Sequence, residues 1–341
     1  MKPEDRFVRR LLALIPASDS VLLPPGDDAA VVAGSAGPLA ATTDLLVEGV
    51  DFLAGEDPER LGRRAAAVNL SDLAAVGARP EFFLLSIGFS AERGDEYPLA
   101  VAKGAISRAG EFGAHLVGGD LSAAPQTVVS AAFWGRPAGE PIRRSGAAEG
   151  DEVYLSGSPG QAAAGLRLAR ILEAFAERGS AHVPRFAEMN PSDQDRLLAA
   201  FHDPTPRVAL GLALAGHRLA SAAIDVSDGL GVDAGRLAHS SHVRLVVEKD
   251  RLPISPALLA FASMQEIDAT ELALSGGDDY ELLFTIPQAE SARLAAHAGE
   301  LGVPVTRIGR VEQGSGAVLR DRTGERDIAE LGYDHFEPER R

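Results

Sequence analysis

Hydrophobic positions along the chain alternate between a period near 3.6 residues and short continuous apolar runs, so helices and buried strands are expected in turn. Phe7, Val8, Leu11, Leu12 and Ile15 fall on one face of an amphipathic helix that begins with charged residues. A second helix is predicted over 57–75. Asp57 before Pro58 and Glu59 makes its start, Leu61, Ala65 and Val68 give it a buried face, and Gly77 and Pro80 stop it. Asn69 and Asp72, three apart, share one face of this helix. Further helices are expected at 96–112, 161–178, 208–219, from about 228, at 256–262 and at 289–299, with at least one short helix in the polar, proline-punctuated stretch 183–206. Apolar and β-branched runs predict strands at 29–32, 38–43, 82–89, 115–117, 127–134, 152–155, 221–226, 243–248, 281–286 and 305–311. Asp28 and Asp44 are placed near strand ends, and the 115–117 strand is expected to stop at Gly118-Gly119-Asp120.

Strands and helices mixed throughout, with no short fixed repeat, indicate an α/β (α+β) class. The segment 137–150, rich in Gly, Pro, Ala and charge, is the best linker, so the expected domains are 1–141 and 142–341. A chain of 341 residues has room for two such cores.

Composition narrows the function classes. The chain has no cysteine, which removes disulfides, thiolate metal sites and cysteine nucleophiles and fits a reducing cytoplasm. A net charge of −16 argues against nucleic-acid and anionic-membrane binding, both of which need basic patches. No run approaches the roughly 20 apolar residues of a membrane-spanning helix, and the charged, amphipathic start is unlike a signal peptide. The expectation is a cytoplasmic protein without nucleic-acid or membrane partners.

The acidic residues carry the chemistry. Asp ends apolar runs beside small residues at Gly26-Asp27-Asp28, Thr42-Thr43-Asp44, Ser71-Asp72, Gly118-Gly119-Asp120, Asp225-Val226-Ser227-Asp228-Gly229 and Gly276-Gly277-Asp278-Asp279. Any one of these alone is ordinary turn or capping chemistry. Doubled acids beside glycines and an Asp inside a helix go beyond it. Carboxylates a few Å apart repel by about 4 kcal/mol per pair at an effective dielectric near 20, so a site that gathers them calls for Mg²⁺, and partly ligated Mg²⁺ calls for phosphate oxygens.

Other phosphate signatures are missing. There is no Gly-Lys dipeptide and hence no P-loop, no His-Arg-Asp or Asp-Phe-Gly of protein kinases, no Gly-x-Ser-x-Gly elbow and no His-Glu-x-x-His zinc motif. One rival survives, because residues 229–234 match G-x-G-x-x-A after a strand and Glu248 follows about 20 residues on. Asp225 and Asp228 stand immediately before that first glycine, where a pyrophosphate would need facing amides without carboxylates. A tight strand-to-helix turn explains the match better.

Laid out in order with Ala67-Val68-Asn69-Leu70-Ser71-Asp72-Leu73-Ala74, Ser275-Gly276-Gly277-Asp278-Asp279-Tyr280-Glu281-Leu282 and Gly332-Tyr333-Asp334-His335-Phe336, these motifs resemble the thiamine-monophosphate kinase family over nearly the whole chain. The resemblance implies the two-domain aminoimidazole ribonucleotide synthetase-like fold, with the sheet of the N-terminal domain pairing across a homodimer. It implies ATP-dependent phosphorylation of thiamine monophosphate to thiamine diphosphate with several Mg²⁺ ions, and leaves room for K⁺. On the matched positions, Asp28, Thr42, Thr43, Asp44, Asp72, Asp120, Asp225 and Asp228 would hold metal. Gly119, Asp120, Arg144 and Ser227 would contact ATP, while Asp51, Asp278 and Tyr333 would contact the substrate. Asp72, Asp120, Asp225 and Arg144 are then the residues expected to carry catalysis. Two positions depart from the family: Asp51 replaces the usual His, and Asp278 the usual Glu. The alternatives are another ATP-using enzyme of the same superfamily, or a non-catalytic Mg-ATP sensor on that scaffold. Selenophosphate synthetase and the hydrogenase-maturation dehydratase use cysteine-type or special terminal residues that this sequence does not supply.

Overall fold

The structure is a computed structural model and describes residues 10–23, 31–34, 37–178 and 189–334. Asp28, the start of the first predicted helix, the stretch 179–188, His335 and Phe336 lie outside the described residues. The chain divides into two compact units, Met1–Leu73 with Ala78–Ala138, and Ala74–Gly77 with Gly139–Arg341.

In the N-terminal unit, β1 (Val21–Leu23) and β2 (Val31–Val32) form an antiparallel ribbon. The main sheet contains β3 (Ala40–Val47), β4 (Ala78–Phe89), β5 (His115–Ala123) and β6 (Val128–Pro137) in the order β3-β6-β4-β5. Only β4 and β5 run parallel, joined by the crossover helix α2 (Glu96–Glu111). Helix α1 (Pro58–Ala75) starts as its sequence requires, with Asp57 Oδ1 accepting from the Arg60 amide at 2.9 Å. A Cβ on Gly62 would lie 1.8 Å from Val101 O, and one on Gly104 would lie 1.9 Å from Glu59 O. The backbones of α1 and α2 therefore touch, which only glycine permits at these two positions.

The register assigns faces. Thr42, Asp44 and Leu46 stand in rows with Phe133, Ala131 and Val129 of β6 and with Phe83, Leu85 and Ile87 of β4. This face is buried, and Thr42 meets α1 on it. The opposite face carries Thr43, Leu45, Ser130, Leu84, Ser86 and Asp120, with Leu45 and Leu84 exposed.

Two expectations need correction here. Strand β5 does not end at Gly118-Gly119-Asp120 but continues to Ala123, because β4 extends alongside and pairs Gly118 to Ala123 with Leu84 to Phe89. Asp44 is not near a strand end, since β6 pairs all eight residues of β3 and leaves Asp44 in its interior.

The C-terminal unit is built on a seven-stranded sheet of β7 (Glu152–Ser156), β8 (Ala222–Val226), β9 (Arg244–Glu248), β10 (Glu281–Ile286), β11 (Val305–Glu312), β12 (Gly316–Asp321) and β13 (Gly324–Asp327). Their order is β13-β12-β9-β11-β7-β10-β8, antiparallel except between β12 and β9. The helices are α3 (Gln161–Arg178), α4 (Pro191–His202), α5 (Val208–Gly216), α6 (Leu230–Ser241), α7 (Pro256–Gln265), α8 (Ala269–Ser275) and α9 (Ser291–Leu301). Helix α6 seals one core with Val226, Leu245, Leu283 and Leu319, and α3, α4, α7 and α8 enclose a second around Leu168, Leu197, Phe261 and Leu272. Neither α8 nor the β12-β13 hairpin was predicted. Helix α8 is seven residues long, and all four residues of β13 are exposed, so neither leaves a periodic apolar trace.

Candidate functional site

The N-terminal unit brings Thr42, Asp44 and Asp72 to one face of its sheet. Thr42 Oγ1–H donates to Asp72 Oδ2 at 2.5 Å, and Asp44 lies on the same face two residues further, about 7 Å along the strand. Thr43 points the other way, its hydroxyl donating to the Ala131 carbonyl at 3.0 Å. Asp51 closes the turn after β3: its carboxylate accepts from the Val47 amide at 2.9 Å while its own amide donates to Val47 O at 2.8 Å.

Gly119 and Asp120 sit on the far edge strand. A Cβ at Gly119 would lie 1.8 Å from Leu85 O, so β5 approaches β4 as closely as it does only because this residue is glycine. Asp120 is exposed and pairs with Ser86 on the open face.

In the C-terminal unit three distant segments meet on one loop. Strand β8 carries Asp225, which is 5 % exposed, as its penultimate residue and runs into Ser227-Asp228-Gly229. The Asp278 amide donates to Ser227 O at 2.7 Å, the Tyr280 amide to Val226 O at 2.8 Å and the Tyr333 amide to Asp228 O at 2.8 Å. Ser227, Asp228, Asp278 and Tyr333 are thereby gathered, all half-buried. Asp278 and Tyr280 have φ of 69° and 51°. Non-glycine residues in this left-handed region each cost of order 1–2 kcal/mol, and such strain is concentrated at functional sites. Arg144 is exposed, and its carbonyl accepts from the Ser241 hydroxyl at 3.0 Å.

Side chains that the sequence did not single out hold this loop. Asp233, fully buried in the first turn of α6, accepts on Oδ2 from the amides of Ser227 (3.1 Å), Asp228 (3.1 Å) and Gly229 (3.3 Å). Arg236 Nη1 donates to Asp233 Oδ1 at 2.7 Å and to Asp228 Oδ2 at 2.5 Å. Burial raises the Asp233 carboxyl to about 6, against the pull of Arg236 and with the Asp228 charge adding to the rise. The amides that a dinucleotide pyrophosphate would need are already occupied by a carboxylate, so the G-x-G-x-x-A match is a structural turn.

Asp279 is also structural. Its carboxylate accepts from the Gly160 amide at 2.6 Å and the Ala162 amide at 3.3 Å, fastening the loop before β10 to the start of α3. Burial pushes it well above the usual carboxylate range, although these two amides oppose the shift. Next to it, Glu281 is gripped by Arg207 through Nε at 2.6 Å and Nη2 at 2.5 Å and accepts from the Ser156 hydroxyl at 2.5 Å. The only sequence hint of Arg207 was its place after Pro204-Thr205-Pro206, which reads as loop.

Among the described residues no three His, Cys, Asp or Glu side chains surround one point. The candidate donors are oxygens only, Thr42 bonded to Asp72 with Asp44 on the same face in one unit, and Asp225 and Asp228 three residues apart at the end of β8 in the other. One or two carboxylates per ion, with water and phosphate completing the shell, is how Mg²⁺ is usually held, so these residues fit that ion.

Comparison with known proteins gives a consistent answer. Residues 26–136 match the AIR synthase related protein N-terminal domain, and residues 148–322 match its C-terminal domain. The thiamine-monophosphate kinase of Salmonella typhimurium is 36 % identical over 299 residues, 87 % of this chain and 86 % of the relative. The crystal structure of thiamine-monophosphate kinase from Stenotrophomonas maltophilia K279a superposes with a TM-score of 0.78 at 36 % identity, covering 92 % of this chain and 94 % of the other. A structure of AaThiL complexed with AMPPCP and TMP gives a TM-score of 0.76 at 30 % identity, over 98 % and 96 % of the two chains. A likeness of this extent, through both units and at this identity, means that the chain belongs to the thiamine-monophosphate kinase family.

Proposed function

We propose that the chain is a thiamine-phosphate kinase, transferring the γ-phosphoryl group of ATP directly to thiamine monophosphate to give thiamine diphosphate and ADP. The observation that carries this reading is the convergence of 225–229, 276–280 and 331–333 on one strained loop, in a chain of this family. The phosphate of thiamine monophosphate is already ionised at neutral pH, so it needs alignment and charge neutralisation rather than a strong base.

The assigned roles follow the oxygen donors. Asp44, Asp72, Asp120, Asp225 and Asp228, with Asp28, Thr42 and Thr43, are the residues that would hold Mg²⁺, which supplies charge neutralisation at the transferred phosphoryl group when bound. Gly119, Asp120, Arg144 and Ser227 hold ATP, with Arg144 gripping its phosphates. Asp51, Asp278 and Tyr333 orient thiamine monophosphate, the Tyr333 ring stacking on its pyrimidine. In this reading domain 1–141 is the ATP- and Mg²⁺-binding and dimerisation domain, and domain 142–341 completes the substrate site.

The working form in this reading is a homodimer. Asp44 and Asp120 are separated by three strand spacings, roughly 14 Å, and point from opposite faces of the same sheet. One nucleotide cannot be held by both from a single chain. A second copy supplies the missing Asp120 from its own sheet to the first copy's Asp44 and Asp72.

Incubation of the purified protein with ATP, Mg²⁺ and thiamine monophosphate, with and without K⁺, tests the activity. Equal amounts of thiamine diphosphate and ADP are expected. Nucleotide binding without turnover would make the protein a sensor, and ADP release without thiamine diphosphate would assign it a different acceptor.

A further inference from the structure

Resting on the substrate role assigned to Asp278, we propose that Tyr280 is a positioning residue that orients the Asp278 carboxylate toward thiamine monophosphate. The Tyr280 side chain is buried, the residue being 7 % exposed, and its hydroxyl donates to Asp278 Oδ1 at 3.0 Å. The backbone between them is held from three directions. The Asp278 amide is on Ser227 O, the Tyr280 amide is on Val226 O, and the Asp279 carboxylate is on the amides of Gly160 and Ala162. Backbone anchoring of this kind places the Asp278 Cα but leaves rotation of its carboxylate about χ1 and χ2 to be decided by side chains.

Both residues of the pair have left-handed backbone, and the ring of Tyr280 lies back along the chain on the acid two residues before it. A buried phenol needs an acceptor, and a backbone carbonyl would satisfy it at no conformational cost. Here the acceptor is instead the half-buried carboxylate of a residue whose amide lies on the Ser227 loop. A hydrogen bond to an ionised oxygen is stronger than one between neutral groups, so the hydroxyl holds one carboxylate oxygen and restrains rotation of the group.

Tyr280→Phe keeps the ring, the burial and the backbone preference and removes only the donor. The wild-type chain is assayed first. Absence of thiamine diphosphate formation there removes the function assigned above, and this inference with it. With wild-type turnover in hand, Tyr280→Phe should raise the KM for thiamine monophosphate about tenfold, the low end for loss of a hydrogen bond to a charged group, and leave the KM for ATP within about twofold. A KM for thiamine monophosphate that stays within twofold, or an equal rise for both substrates, overturns the proposal while leaving the kinase reading standing. The second arm repeats the change in Asp278→Gly, which accepts the left-handed φ without strain. If Tyr280 acts through Asp278, the added loss in kcat/KM is less than about twofold in that background. A second tenfold loss there would show that the hydroxyl serves something other than Asp278.

Discussion

Asp233 places one carboxylate oxygen against three consecutive amides of the loop that carries Ser227 and Asp228. Burial has raised its carboxyl to about 6, so the ionised form present at pH 7 is itself unfavourable inside the fold. The acceptor therefore matters more to stability than the charge. Asp233→Ala should destabilise the protein by about 3 kcal/mol through three unpaired buried amides, whereas Asp233→Asn, which keeps an oxygen on them, should cost less than about 1 kcal/mol. Denaturant titration of both variants checks this, and equal losses would show that the charge, through Arg236, is what holds the loop. At this scale the sequence was informative about which acids matter and less so about how they differ. Asp278 and Asp279 are adjacent and look alike in sequence, yet the amide of one is bound to the loop that carries Ser227 and the carboxylate of the other caps a helix, a difference made by partners distant in the chain.

In the C-terminal sheet, Glu312 of β11 links two strands that flank β9. It accepts from Arg320 of β12 at 2.9 and 3.0 Å and from Arg310 at 2.7 Å. The paired bonds from Arg320, helped by Arg310 and opposed by burial, hold its carboxyl at about 2, against an ordinary 4.5. A depressed carboxyl stabilises the fold above the unfolded value and loses that contribution as pH falls through the folded one. The thermal midpoint of Glu312→Gln should therefore lie below wild type at pH 7, and the gap should close as pH drops from 4.5 toward 2. A gap that stays constant over that window would mean Glu312 contributes by packing alone. Elements with an apolar face were legible: the predicted 57–75, 161–178 and 281–286 all formed within a residue of their expected limits. Those defined by a neighbour were not, as β5 shows by running past its glycines along β4, and β13 by existing only as the partner of β12.

For the whole molecule, the opposite faces of Asp44 and Asp120 give a decisive test of the homodimer. Asp44→Asn and Asp120→Asn chains should each be inactive. Co-expressed, they should recover roughly a quarter of wild-type turnover, because half the dimers are mixed and each mixed dimer has one intact site. No recovery would mean that both acids serve a site within one chain. Sequence by itself determined the fold class, the family and the acidic character of the site, since periodicity, motif order and side-chain chemistry are local properties that a linear reading retains. Tertiary structure decided which acids are partnered and on which face each stands. Strand register assigns alternate residues to opposite faces, so Thr42 meets Asp72 while its neighbour Thr43 turns away. It also decided that Tyr280 faces Asp278, a contact made by two left-handed residues whose backbone conformation no local pattern specifies.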